Sequence, residues 1–226
     1  LSDVRVISHV KAISQKQQSK QKITSKTGNT VLWNECTEII FAFASSTGGP
    51  NALANILCGI SVGCPFPILI SQHINHELID NLVQWLNRVC PLDVVIGKND
   101  QKLESGIVYL SPANMHMVIS PLKRIELREF SYRDIHHPSC NMLLSSVANV
   151  YRDNSVGIIL TGMSDDGVNG IEEIKKVKGH TIAQEKDSCV VFGMPKEAIE
   201  RGCVDLILTP DEITKRINFL IAQKKC

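Results

Sequence analysis

The stretch IIFAFASSTGGP, from Ile39 to Pro50, decides the fold because an apolar run passes directly into a glycine-rich turn. The run IIFAFA, residues 39–44, contains no polar residue, which predicts a short strand buried on both faces. The two glycines permit a tight turn, and Pro50 suits the first turn of a helix. A buried strand that turns sharply into a helix is the repeating unit of α/β proteins.

Further apolar runs along the chain predict eight more strands, over residues 66–72, 93–97, 106–111, 116–120, 124–129, 155–160, 180–184 and 204–208. Helical patterns separate many of them, near residues 50–60, 76–89, 139–151, 167–177 and 195–201. A last helix follows, since Thr209, Pro210 and Glu212 form a helix start with a capping box. The predicted fold class is therefore α/β, a doubly wound, mainly parallel sheet flanked by helices, with a small antiparallel insertion over residues 106–129.

The composition excludes several classes of function. In 226 residues, 24 Lys and Arg oppose 23 Asp and Glu, and the net charge of +1 gives no strong field for nucleic acid or anionic lipid. No apolar run approaches the roughly 20 residues that span a bilayer, and no signal-peptide pattern is present. The eight cysteines lack zinc-like spacing, which favours reduced, buried thiols in a cytoplasmic protein. We expect neither nucleic-acid binding nor membrane insertion.

The first 38 residues differ from the rest of the chain. Residues 11–30 contain five lysines, no acidic residue and many Gln, Ser and Thr, a composition typical of a solvated linker. Residues 1–10 carry enough apolar side chains to be the last part of a preceding folded unit. The chain also begins with Leu1 rather than Met, which favours a fragment of a longer protein.

Three polar residues, Ser46, His73 and Asp166, come directly or shortly after predicted strands. In an open parallel sheet the functional crevice lies beyond the carboxyl ends of the strands, so these side chains can meet. A hydroxyl nucleophile, an imidazole base and a carboxylate that orients the imidazole form the triad of acyl transfer. Backbone N–H groups at the glycine-rich turn would then stabilise a developing oxyanion.

Each of these residues also has a simpler structural interpretation. A serine in a glycine-rich turn often caps a helix or cradles phosphate, and Asp165 and Asp166 before Gly167 would serve as helix caps. His73 and His76 form an H-x-x-H spacing, but no further ligand cluster accompanies it, so we expect no metal. The G-x-S-x-G elbow and both nucleotide-binding fingerprints are absent. The residues alone leave open a non-catalytic nucleotide- or receptor-binding module.

Six sequence blocks carry a resemblance to a known family: ASSTGGP, SQHIN, YLSPANMHM, HHPSCNMLLSSVA, GIILTGMSDDGVNG and AQEKDSCVVFGMPKEAIERG. Over residues 39–224 the chain resembles the catalytic domain of chemotaxis protein-glutamate methylesterases, the CheB family. The resemblance implies hydrolysis of glutamyl methyl esters on the cytoplasmic helices of methyl-accepting chemotaxis receptors. It also implies deamidation of particular receptor glutamines, and no cofactor.

The family pattern implies roles for individual residues. Its S-T-G-G block implies Ser46 as the nucleophile, its Q-H block His73 as the base, and its G-M-x-x-D-G block Asp166 as the orienting carboxylate. The residues expected to line the site or to hold the oxyanion are Thr47, Gly48, Gly49 and Met163. No metal ligand is implied.

The resemblance also implies a domain organisation. Residues 1–38 are expected to be the remnant of a receiver region with its lysine-rich linker, and residues 39–226 the methylesterase catalytic domain. In a full-length protein the partners would include a phosphorylatable receiver domain and its histidine kinase.

Several positions depart from the family pattern. Ala44 and Ser45 replace the usual Gly-Ala before the nucleophile, which is expected to place a second hydroxyl beside it. His137 replaces a common arginine and Asn141 a common aspartate, so we expect an altered charge facing the substrate. Ser164 and Asp165, finally, stand where Gly and Asn are frequent.

Overall fold

A seven-stranded parallel sheet forms the centre of the computed structural model, which describes residues 38–224. The strands within that range are β1 (Ile40–Ser45), β2 (Ile68–Gln72), β3 (Asp93–Ile96), β4 (Ile107–Leu110), β5 (His116–Ile119), β6 (Ile125–Arg128), β7 (Ser155–Ile159), β8 (His180–Gln184) and β9 (Leu206–Leu208). The large sheet has the order β3-β4-β2-β1-β7-β8-β9. The predicted α/β class is confirmed. Residues 1–37 of the predicted receiver remnant and linker, residues 1–38, lie outside the described part of the chain.

The α-helices of the described residues are α1 (Gly49–Leu57), α2 (Ile79–Val89), α3 (Cys140–Tyr151), α4 (Val168–Lys176), α5 (Met194–Glu200) and α6 (Pro210–Lys224). α3 packs against α4 and β1, and α4 packs against α5 and β7, whereas α1 contacts α2 and α6. The predicted helices are confirmed, with ends shifted by a few residues. Within residues 38–224, no helix combines the length and the apolar character needed to cross a bilayer.

Both faces of β1 are buried, as its apolar sequence predicts. Ile40, Ala42 and Ala44 belong to the core cluster that includes the buried side of α3. Phe41 contacts Phe66 edge-on, with ring centroids 5.8 Å apart. Burial on both faces suits a central strand, and β1 is where the chain switches from β2 on one side to β7 on the other. The carboxyl end of β1 therefore lies at the topological switch point, where α/β proteins bind ligands.

The antiparallel insertion is smaller than the predicted residues 106–129. β4 pairs in parallel with both β2 and β3, so the assignment of residues 106–111 to the insertion is wrong. Among the described strands, β5 and β6 alone form the antiparallel pair. The physical reason is that Val108, Tyr109 and Leu110 are buried, as a strand with neighbours on both sides requires. No helix lies between β3 and β4, so the pattern that ordinarily separates parallel strands is missing from the sequence there.

Candidate active site

The strand ends place Ser46 beside His73. In the parallel pairing of β1 and β2, Ser45 lies opposite Gln72, so Ser46 and His73 are the first residues beyond the paired ends. The His73 N–H donates to the Ser45 carbonyl at 3.0 Å, and the Ser46 N–H donates to the carbonyl of Thr161, beyond β7, at 3.1 Å. Three neighbouring strands therefore hold the predicted nucleophile and base at one edge of the sheet.

Gln72 holds the turn after β1 through its side-chain amide. Its Oε1 accepts from the Ser45 hydroxyl at 2.7 Å, and its Nε2 donates to the carbonyls of Ser46 and His73 at 2.9 and 2.8 Å. Ser45 and Gln72 are buried, so these bonds are shielded from water. The Ser45 hydroxyl, expected beside the nucleophile, is therefore bonded to Gln72 within the strand pair. No role for Gln72 was predicted from the sequence, although a glutamine in an apolar strand is itself an unusual signal.

The turn between β1 and α1 requires glycine at two positions. Gly48 has a φ of +80°, a backbone conformation that side chains other than glycine rarely adopt. A Cβ on Gly49 would lie 2.1 Å from Oε1 of Gln72, so a larger residue would displace the amide that holds the turn. The Gly49 N–H donates to the Ser46 carbonyl at 2.8 Å. Gly49, predicted to line the site, thus uses its N–H to close the turn.

Thr161 connects the nucleophile turn to the loop before α5. Its Oγ1 lies 2.9 Å from the Thr47 carbonyl and 3.2 Å from the Val191 carbonyl, and it accepts from the Val191 N–H at 2.9 Å. Met163 follows shortly after Thr161, and its side chain is 77% exposed. Met163 is thus an exposed residue two positions beyond Thr161, and its place in the lining of the site stays a prediction.

Asp166 is a buried carboxylate that accepts four hydrogen bonds. His73 Nε2 lies 2.7 Å from Oδ2, and the Cys140 N–H donates to the same oxygen at 2.6 Å. The Asn141 N–H and the Ser139 hydroxyl donate to Oδ1 at 2.9 and 3.1 Å. Three of these donors lie at the amino end of α3, whose dipole also favours an anion. The structure thus brings the predicted carboxylate into contact with the predicted base.

The hydrogen bonds decide the charge of Asp166. Burial raises the pKa of this carboxyl, but the bonds from His73, Asn141 and Cys140 outweigh burial and hold the pKa below its ordinary value. Asp166 is therefore ionised at neutral pH. An ionised acceptor at Nε2 selects the tautomer in which that nitrogen carries the proton, which leaves Nδ1 of His73 as the acceptor.

His136 stacks on His73, with ring centroids 5.2 Å apart and ring planes within 8° of parallel. Ligand atoms of His73, His136 and Asp166 lie within 4.8 Å of one another, which raises the question of a metal ion. Imidazole lone pairs lie in the plane of the ring, so two stacked rings direct them along separate, nearly parallel planes and do not converge on one ion. His73 is also bonded to Asp166. The cluster fits proton transfer better than metal binding.

His116 is a buried residue to which the sequence analysis gave no role of its own. Its Nδ1 accepts from the Ser139 N–H at 2.9 Å, and its Nε2 lies 3.1 Å from Asp134. Ser139 in turn donates to Asp166. His116 therefore orients the start of α3, a role that depends on contacts between segments distant in sequence.

The family departures at Asn141 and His137 have different structural consequences. Asn141 Oδ1 accepts from the N–H groups of Gly167 and Gly170 at 2.9 and 3.0 Å, and so binds the first turn of α4. His137 stacks on Phe130, with ring centroids 4.0 Å apart. The expected change of charge facing the substrate is therefore not supported at Asn141, because its side chain is bonded to α4.

The chain is similar to known proteins over most of its length. Residues 41–217 match the family model described as CheB methylesterase. The chain is 36% identical, over 225 residues, to the protein-glutamate methylesterase/protein-glutamine glutaminase of group 3 operon of Rhizobium meliloti (strain 1021), covering 97% of this chain and 62% of the relative. It is 41% identical, over 174 residues, to protein-glutamate methylesterase/protein-glutamine glutaminase 3 of Paramagnetospirillum magneticum, covering 77% of this chain and 49% of the relative.

The chain therefore spans about half to three fifths of the length of these relatives. Among solved structures, the crystal structure of the Thermotoga maritima CheB methylesterase catalytic domain has a TM-score of 0.78 and 30% sequence identity. The match covers 82% of this chain and 100% of the Thermotoga chain. The fold similarity thus extends over the whole of that catalytic domain.

Proposed function

The chain belongs to the CheB methylesterase family, and from that premise we propose that it hydrolyses glutamyl 5-methyl esters of methyl-accepting chemotaxis receptors and deamidates specific receptor glutamines. The observation that carries the proposal is the 2.7 Å contact between His73 Nε2 and Asp166 Oδ2. His73 directly follows β2, and Ser46 directly follows β1, the strand paired with β2. The names of the relatives, methylesterase and glutaminase, support the same two reactions.

Acylation begins with attack of Ser46 Oγ on the side-chain carbonyl carbon of the ester. His73 accepts the serine proton on Nδ1, because its Nε2 donates to Asp166. The imidazolium that forms lies 2.7 Å from a carboxylate shielded from water, so its positive charge is stabilised. The donors around Asp166 hold the imidazole in position before substrate arrives.

The tetrahedral oxyanion would lie against backbone N–H groups of the glycine-rich turn. α1 begins at Gly49, so Thr47 and Gly48 lie at the amino end of a helix, where partial positive charge favours an anion. The Met163 N–H is a further donor in this proposal, because Met163 follows the Thr161 carbonyl that accepts from Ser46. Loss of one such donor would cost about 3 to 4 kcal/mol of transition-state stabilisation.

Collapse of the tetrahedral intermediate releases the leaving group. His73 delivers its proton to that group, so the ester releases methanol and the amide releases ammonia. A water molecule then loses a proton to the same Nδ1 and attacks the acyl carbon on Ser46, which frees the serine and leaves a glutamate. Both substrates react at the same carbonyl carbon, so one site serves both reactions.

Exposed apolar side chains near the proposed nucleophile support a protein substrate. Met163, Val190 and Ile135 are 77%, 67% and 86% exposed. Val190 lies against the glycine-rich turn. Ile135 precedes His136, which stacks on His73. Apolar side chains around a polar centre are typical of surfaces that receive another protein, which fits the cytoplasmic helices of the receptors.

Regulation by a phosphorylatable receiver domain and its histidine kinase is part of the proposal, together with a cytoplasmic location beside the receptor helices. Two observations support this part of the proposal: the chain belongs to the family, and the relatives are longer than the part that matches this chain. The alternative of a non-catalytic nucleotide- or receptor-binding module is not favoured, because the relatives are named for two hydrolytic activities.

Methanol release from methylated receptor membranes tests this function. The unmodified chain should release methanol, and Ser46→Ala should lose nearly all triad-dependent rate, a fall of about 10⁴-fold or more. Ser45→Ala is the matched control, because it removes a hydroxyl from the neighbouring residue that is bonded to Gln72; we expect its rate to stay within about tenfold. No release by the unmodified chain with saturating receptor, or equal release by Ser46→Ala, would contradict the proposal.

A further inference from the structure

Two cysteines, Cys58 and Cys90, lie side by side near the surface. Their Sγ atoms are 3.3 Å apart, and Cys58 Sγ also lies 3.0 Å from the Val89 carbonyl oxygen. Cys58 is exposed and Cys90 is half-buried. The expectation of buried thiols is therefore wrong for Cys58, although it is confirmed for Cys64, Cys140 and Cys203.

The pair joins the ends of two helices. Cys58 directly follows α1, and its N–H donates to the Ala54 carbonyl at 2.9 Å; Cys90 directly follows α2, and its N–H donates to the Leu86 carbonyl at 2.8 Å. The backbone on each side is thus held by its helix. Because α1 and α2 run back from the carboxyl ends of β1 and β2, the thiols lie at the opposite edge of the sheet from Ser46.

We propose that Cys58 and Cys90 form a reversible disulfide by exchange with a small-molecule disulfide of the oxidised glutathione type. A disulfide bond is about 2.0 Å long, so sulfurs 3.3 Å apart need to approach by about 1.3 Å, a distance within the reach of small side-chain rotations. The site lies apart from Ser46, and the proposal is independent of the esterase activity.

The exchange starts at Cys58 because its sulfur is the accessible one. The Cys58 thiolate attacks one sulfur of oxidised glutathione, forming a mixed disulfide and releasing one glutathione. The Cys90 sulfur then attacks the Cys58 sulfur, which forms the intramolecular bond and releases the second glutathione. The two cysteine sulfurs are oxidised and the two glutathione sulfurs are reduced. The two thiol protons pass to the released glutathiones, so the step balances without another oxidant.

Cys90 is suited to the second step rather than the first. Burial raises the pKa of the Cys90 thiol, and the hydrogen bond and charge of Cys58 raise this pKa further. Cys90 therefore loses its proton less readily than an ordinary thiol and does not start the exchange. Once Cys58 is in the mixed disulfide it carries no charge, so its electrostatic opposition to ionisation of Cys90 disappears.

Equilibration of the full 226-residue chain with oxidised and reduced glutathione tests the proposal. Remaining thiols are then alkylated, and peptides are mapped by mass spectrometry. We expect a peptide linked through Cys58 and Cys90 that dithiothreitol separates. Cys90→Ser should stop with glutathione on Cys58, and Cys58→Ser should yield no such linked peptide. Cys189→Ser is the matched control: it removes another partly exposed thiol and should leave the linkage unchanged.

Two results would overturn the proposal. One is glutathione that stays on Cys58 of the unmodified chain without any linked peptide at equilibrium. The other is linkage of Cys58 to a different cysteine in preference to Cys90. Circular dichroism of each variant verifies that it is folded, and Cys90→Ala repeats the measurement if Cys90→Ser does not fold.

Discussion

At the residue scale, Asp166 combines deep burial with negative charge because donors reach both of its oxygens. An asparagine in its place would turn an amide NH₂ toward one of those donors in either orientation. One orientation faces the Cys140 N–H and the other faces the Asn141 N–H. A backbone donor at the start of α3 would therefore lose its acceptor, at a cost of about 1 to 3 kcal/mol.

We expect Asp166→Asn to lower kcat by about 10³- to 10⁴-fold, because the uncharged side chain no longer selects the His73 tautomer or stabilises the imidazolium. The effect on KM should be small, since Asp166 is buried beneath His73. Methanol release over a range of receptor concentrations separates the two constants. Asp165→Asn is the control, because Asp165 is the exposed neighbouring carboxylate and its loss should leave kcat nearly unchanged. Equal losses in both variants would point to surface charge instead of imidazole orientation.

Gln72 has a role that a local sequence pattern does not reveal. Ser46, His73 and Asp166 can be proposed from sequence because each follows a strand, and strand ends are readable from local periodicity. Gln72 lies inside a strand, and its importance comes from bonds to Ser45 and Ser46 on the neighbouring strand and turn. Such a role depends on strand pairing, which one segment does not encode.

At the element scale, the turn joining β1 to α1 depends on backbone conformation and on the space around it. Gly48 has a φ of +80°, and a Cβ there would lie 2.6 Å from both Cβ and Cγ2 of Val190. Gly63 offers a matched comparison, because its φ is +78° and a Cβ there would have no neighbour within 4 Å. Alanine at either position would strain the backbone to a similar extent. Only at Gly48 would its Cβ also clash with Val190.

We expect Gly63→Ala to lower the free energy of unfolding by about 1 to 2 kcal/mol, the cost of a left-handed backbone. Gly48→Ala should lose about 2 to 4 kcal/mol, because the loop carrying Val190 must also move. Urea unfolding measures both values. Gly48→Ala should also slow methanol release, since the turn adjoins Ser46, whereas Gly63→Ala should not. Identical losses of stability would mean that the Val190 contact costs nothing.

At the scale of the whole molecule, His180, Asp205 and Asp166 are groups shielded from water that bind protons less tightly in the folded chain than in the unfolded one. Burial lowers the pKa of His180 from 6.5. Burial raises the pKa of Asp205, but Lys175 and Thr181 outweigh it, and the net shift is downward from 3.8, as for Asp166. Because the unfolded chain takes up these protons first, acidification favours unfolding.

The free energy of unfolding should therefore fall as the pH decreases. The loss begins near pH 6.5 with His180 and continues below about pH 4 with the two carboxyls. Urea unfolding at about pH 7.5, 5.5 and 3.5 measures this dependence. Asp205→Asn should flatten the part below about pH 4. It should also deepen the loss between about pH 6.5 and 5, because the charge of Asp205 raises the pKa of His180 and its removal leaves the effect of burial less opposed. A chain that became more stable on acidification would contradict the assignment of all three groups.

The amino-acid sequence by itself determined the strands and helices, their α/β alternation and the three strand-end residues proposed for catalysis. These features depend on hydrophobic periodicity and turn chemistry, which act over a few residues. The boundaries shifted little between sequence and structure, because caps and apolar runs set them locally.

Only the tertiary structure decided which strands are neighbours and which side chains meet. It placed β4 in the parallel sheet, joined His73 to Asp166 across 93 positions, and brought Cys58 to Cys90 across 32. Such contacts arise when distant elements pack against a common core, and no segment alone carries that information. The charge of Asp166 likewise follows from donors that the start of α3 supplies only in the folded chain.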